Sequence, residues 1–174
     1  MKENKVIEIK PVSHNTVDAL GPAGERTFYI QAYNEEVSIT LVAEKFQIQS
    51  LAVGIEQFLA EIRQRLPKLA ESSPAYDESK MFIDKPDDAL FRISEFGLSY
   101  DGESDLVNLI MREVPLGYDE TGDEVHFWCT RDQIRSFISW GSEVASRGRA
   151  VCAQCGQPED PAGHFCSRKN GHKH

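Results

Sequence analysis

The residues best placed to do chemistry lie at the end of the chain. Cys152 and Cys155 form a C-x-x-C pair with Gly156 directly after it, and His164 and Cys166 follow as an H-x-C pair. Three of the four cysteines fall between positions 152 and 166, and Cys129 is the other. Thiolate and imidazole are ligands that zinc takes in a tetrahedral set, and a set of four filled by side chains marks a structural site with no open catalytic position. A C-x-x-C-G turn presents two sulfurs on one side of a tight loop, and its glycine lets backbone N–H groups turn towards the thiolates. His164 and Cys166 are two positions apart, so an extended segment points both to one side. Pro158, Pro161 and Gly163 favour turns between the two halves. Cys152, Cys155 and Cys166 are the first three expected ligands. His164 is the expected fourth, with His172 as the alternative and His174 as a third choice.

A disulfide is the competing reading of these thiols. The start of the chain, M-K-E-N-K-V-I-E-I-K, has no apolar core of a secretory signal, which disfavours an oxidising compartment and leads us to expect a cytoplasmic protein. No apolar run approaches the roughly 20 residues that span a bilayer. The 174 residues suit a body at 1–148 with a metal-binding tail at 149–174. Residues 146–174 hold five basic and two acidic side chains, a net +3, whereas residues 1–145 hold 14 basic and 26 acidic, a net −12. Such a body repels a phosphate backbone, so any nucleic-acid contact would fall to Arg168, Lys169 and Lys173 of the tail.

The elements that carry these groups follow from periodicity. Val6 to Ile9 alternates as a short strand. Thr27 to Tyr33 and Val37 to Ala43 read as a hairpin turned by Asn34-Glu35-Glu36. An apolar stripe from Ile48 to Leu66 at steps of three and four predicts a helix from about Phe46 to Leu66. Residues 69–88 read as a polar linker on the surface. Leu90 to Tyr100, Asp105 to Val114 and Glu124 to Cys129 read as strands, with Asp101-Gly102 as a hairpin signal. A helix from Arg131 to about Ser146 is capped by Thr130 with Gln133. K-F-Q-I-Q-S-L at the first helix start aligns with R-D-Q-I-R-S-F at the second, matching Gln47 to Gln133, Ile48 to Ile134 and Ser50 to Ser136. Two similar β-β-(β)-α halves, about 5–67 and 90–146, are therefore expected. The predicted fold is α+β: an antiparallel sheet packed by two helices, plus a small zinc-ribbon-like module. Cys129 is expected as a buried core thiol and His126 as a core histidine.

Four strings then resemble an uncharacterised bacterial family, domain of unknown function 3090: G-P-A-G-E-R-T-F-Y-I-Q-A from Gly21, E-K-x-Q from Glu44, F-R-I-x-x-x-G-L-x-Y-D from Phe91, and the cysteine- and histidine-rich tail from Gly148. The resemblance implies metal binding in the tail and no particular reaction. Ser167 stands where the family usually has proline.

Two main functional classes remain, with nucleic-acid contact through the basic tail as a minor alternative. A binding or adaptor protein, with a protein partner, would present a rigid surface beside the zinc module. An enzyme would gather Arg26, Tyr29, Gln31, Glu44, Lys45 and Arg92 into a charged pocket able to perturb pKa values. Neither class fixes an oligomeric state.

Overall fold

The computed structural model describes residues 3–22, 24–115, 117–118, 120–147, 154 and 166. The described residues form two runs with the same element order. The first is β2 (His14–Leu20), β3 (Thr27–Tyr33), β4 (Ser38–Ala43) and helix α1 (Lys45–Arg65); the second is β5 (Ile93–Asp101), β6 (Leu106–Glu113), β7 (Glu124–Thr130) and helix α2 (Arg131–Ser146). Strand β1 (Val6–Ile9) precedes both.

The fold is α+β with two helices. The expected single antiparallel sheet is instead two sheets. One has the order β2-β3-β4 and is antiparallel throughout; the other has the order β1-β7-β6-β5, with β1 parallel to β7. Two sets of backbone hydrogen bonds stitch the sheets together. Val42 N–H donates to the Phe91 carbonyl, and Leu90 N–H to the Thr40 carbonyl, at 3.0 and 2.9 Å. At the other junction Val12 N–H donates to the Trp128 carbonyl at 2.9 Å and Ser13 N–H to the Tyr33 carbonyl at 2.8 Å.

The helix starts answer each other in detail. Gln47 Oε1 accepts from the Glu44 N–H and Gln133 Oε1 from the Thr130 N–H, both at 2.8 Å. The amide nitrogen of each glutamine then reaches across the molecule: Gln47 Nε2 donates to the Ile93 carbonyl at 3.0 Å, and Gln133 Nε2 to the Val12 carbonyl at 3.1 Å. Helix α1 is thus pinned to the first residue of β5, and α2 to the segment that leads into β2. The helices pack antiparallel. A Cβ on Gly141, late in α2, would lie 3.2 Å from Ile48 early in α1, while Arg135, early in α2, pairs with Glu56. The same Cβ would lie 2.9 Å from Val17 of β2, so only glycine allows this crossing.

Strand β2 lay outside the sequence prediction because its polar residues break the alternation. Asn15, Thr16 and Asp18 are all buried. Asn15 is buried against β7, where it donates to the Cys129 thiol at 3.5 Å, and Thr16 and Asp18 are buried because residues 69–88, expected as a surface linker, are strapped over β2 and α2. Thr16 Oγ1 donates to the Met81 carbonyl, and Asp18 Oδ2 accepts from Ile83 N–H at 2.8 Å. Trp140 is fully buried; its indole N–H donates to the Val17 carbonyl at 2.6 Å, and Tyr76 and Phe82 meet its ring edge-on. The first turn and a half of α2 holds the front of the strap: Arg131 binds the Ala70 carbonyl, Asp132 the Ser73 N–H and Arg135 the Ser72 carbonyl. This covers an edge strand that would otherwise offer open backbone groups.

Candidate functional site

Of the expected zinc ligands, Cys152, Cys155 and His164, with the alternatives His172 and His174, lie outside the described residues. Cys166 is described and is 3% exposed, its thiol 3.9 Å from the Gln154 side-chain oxygen. Three thiolates and an imidazole form the donor set of a closed zinc site, so the residues present fit that metal by their chemistry. Among the described residues, no three His, Cys, Asp or Glu side chains form a metal-binding group. Cys129 is fully buried at the end of β7, where burial pushes its thiol pKa far up and keeps it protonated.

The six charged and polar residues of the expected pocket divide between two faces. Tyr29 and Gln31 alternate with the buried Phe28 and Ile30 and so lie on the face away from the helices. Tyr29 is in register with Val42, which in turn bridges to Arg92. Glu44, two residues past Val42, pairs with Arg92, and both side chains are about half exposed, at 52% and 57%. Gln31 donates to the Thr40 hydroxyl at 3.0 Å, and Lys45 is exposed at the start of α1. Arg26 faces the other way: it donates to the Val144 carbonyl of α2 at 3.2 Å and lies over the Phe28 ring. There it lines a cleft of about 400 Å³ with Asp18, Phe82, Asp84 and Arg147. Arg26 therefore does not meet Glu44 and Arg92.

Three features were not foreseen from sequence. His126 is not a core residue; it stands on the outer face of β7, with Nε2 against Glu124 and Nδ1 3.1 Å from the Asn108 amide. Arg112 extends this row by joining Glu124 and Glu95 at 3.0 and 3.2 Å, and it helps hold the Glu124 carboxyl below the ordinary range, behind the larger effect of His126. Asp105, at a left-handed φ of 53°, accepts from the Tyr100 hydroxyl at 2.6 Å and from Arg131 at 2.8 and 3.2 Å. The Arg131 guanidinium lowers the Asp105 pKa, and burial, then the bond to Asp105, raises that of Tyr100 to about 12. The third feature is an apolar groove of about 360 Å³ between α1 and β5, walled by Phe46 and Phe96 and floored by Ser50 and Gly54.

No helix among the described residues is long and apolar enough to cross a membrane. A family model described as "Protein of unknown function (DUF3090)" matches residues 8–166. No curated protein and no solved structure matches the chain.

Proposed function

The chain belongs to the DUF3090 family, and we propose that it is a zinc-binding protein: an α+β body of two related halves serving as a protein-binding adaptor, with a zinc-ribbon-like tail at 149–174 that carries a structural metal. Cys152, Cys155, Cys166 and His164 would hold the ion. The family match runs through all four and stops before His172 and His174, which favours His164 as the fourth ligand. Bound zinc would supply a rigid cross-link between the two halves of the tail. With its coordination closed by protein side chains, it would leave no position for a substrate.

The observation that carries the adaptor reading over the enzymatic one is the Glu44–Arg92 pair. It is an exposed ion pair on a sheet face, with Arg26 committed to α2 on the opposite side. Such a pair is screened by solvent and contributes about 0–1 kcal/mol; it does not create the desolvated, converging charges that acid–base catalysis uses. The acidic body suits a protein partner carrying positive charge, in a cytoplasmic setting. The test is metal analysis of reduced protein alongside Cys152→Ser and Cys166→Ser. The expected outcome is zinc at one per chain, lost in both variants while the body's circular dichroism is unchanged. Reduced wild-type protein without metal would refute the reading.

A further inference from the structure

The two helix–strand seams are related by the same correspondence that equates Gln47 with Gln133. In the α2–β2 seam, Trp140 and the strap fill the space. Trp140 lies seven residues past Gln133, and the residue seven past Gln47 is Gly54. A Cβ on Gly54 would meet nothing within 4 Å. Its seam is the open groove, bordered by Phe46, Ser50 and Gly54 of α1 and by Ser94, Phe96 and Leu98 of β5. Phe46 is 66% exposed there. Among the described residues, no loop or turn backbone group bonds β5 beyond Ile93.

We propose that this groove is the docking site of the chain's own C-terminal segment, residues 148–174. The segment that fills the first seam is the one that leaves α1: residues 66–92, 27 in all. The segment that leaves α2, from Arg147 onward, is its counterpart in order. The antiparallel helix packing sets its path. The end of α1 delivers the strap to the start of α2, where Arg131 takes the Ala70 carbonyl. In the same way the end of α2 lies beside the start of α1, where Gly141 crosses Ile48 and the groove begins at Phe46. Charge favours this occupant over a second copy of the chain. The tail at +3 is attracted to a body at −12, whereas two bodies repel. Phe165, the one aromatic residue of the tail, is the side chain to occupy the space over Gly54 that Trp140 fills in the other seam.

The test replaces Ser50 in the full chain with a photoreactive benzoylphenylalanine, irradiates, and maps adducts by mass spectrometry. Adducts within one chain to residues 148–174 are expected. Adducts joining two chains would reassign the groove to a self-interface, and adducts elsewhere or none would equally overturn docking. A second measurement uses Gly54→Trp, which places in α1 the side chain that α2 carries. Filling the groove should speed tryptic cleavage after Arg168 and Lys169 by about tenfold or more, a change equivalent to about 1.4 kcal/mol of docking energy. An unchanged rate would contradict docking. Zinc is assayed in the same samples, so loss of the metal reading and loss of docking are separately visible.

Discussion

The seam between α2 and β2 and the seam between α1 and β5 are built from equivalent elements and finished differently. In the first, a buried tryptophan bonds the strand's backbone, and a strap crosses both elements, held through Thr16 and Asp18. In the second, glycine stands where the tryptophan would be, Phe96 and Leu98 are only half-buried, and Phe46 faces solvent. The difference teaches that the β-β-β-α unit does not complete its own core. Each unit leaves one seam to be closed by the chain that follows a helix. For the first seam that chain is residues 69–88.

The comparison can be broken or sharpened by substitution. The largest effect belongs to Trp140→Ala, which empties the filled seam and leaves the Val17 carbonyl without its indole donor. We expect a loss of about 3–5 kcal/mol in urea unfolding; a loss below about 1 kcal/mol would show that the strap alone closes the seam. Gly141→Ala should cost about 1–3 kcal/mol by overpacking against Val17 and Ile48. Asp18→Asn removes one of two carboxylate acceptors that now hold the Ala19 and Ile83 N–H groups. It should cost about 1–3 kcal/mol and speed proteolysis at Lys80 and Lys85, whereas unchanged cleavage would mean the strap is held elsewhere. Gly54→Ala in the open seam should have the opposite sign, a gain of about 0.5–1 kcal/mol, because the helix loses a glycine and the new methyl meets nothing. A lowered urea midpoint would contradict the room for a methyl group over Gly54.

The smallest effect is a pH dependence at the far end of β5. The Tyr100 hydroxyl is held up to about 12 against an ordinary 10.0. The unfolded chain therefore releases this proton first as pH rises, and the group's contribution is whole below pH 10 and lost progressively towards 12. Unfolding midpoints from pH 9 upward should fall less steeply in Tyr100→Phe than in wild type, and identical slopes would remove Tyr100 from the account. Asp105 acts at the other extreme. Its lowered pKa gives stability that is present above the ordinary carboxylate range and lost as pH falls through the folded value.

Local signals were legible where the chain organises itself locally. Val6–Ile9, Thr27–Tyr33 and Arg131–Ser146 have the predicted limits, and the Thr130–Gln133 cap is in place. What escaped depends on distant partners. Thr16 and Asp18 of β2 are tolerated inside because residues 81–83 satisfy them, and Asn15 because Cys129 does, and nothing near them in sequence announces either. The pairing of β1 with β7 spans most of the chain and gives the second sheet a parallel edge that periodicity does not encode. His126 stands on the outer face because the alternation of β7 buries Val125 and Phe127 instead. The open groove did have a signal: the alignment of Gln47 with Gln133 sets Gly54 against Trp140. The split of Arg26 from Glu44 and Arg92 was readable only once Phe28 and Ile30 were known to face the helices.

The most direct test of the central claim is the zinc content of freshly reduced, full-length protein, with Cys152→Ser and Cys166→Ser measured beside it. One zinc per chain in the wild type, absent from both variants while the urea midpoint of the body holds, is the predicted result. Protein that takes up no zinc, or variants that retain it in full, would contradict a structural metal held by the C-terminal cysteines.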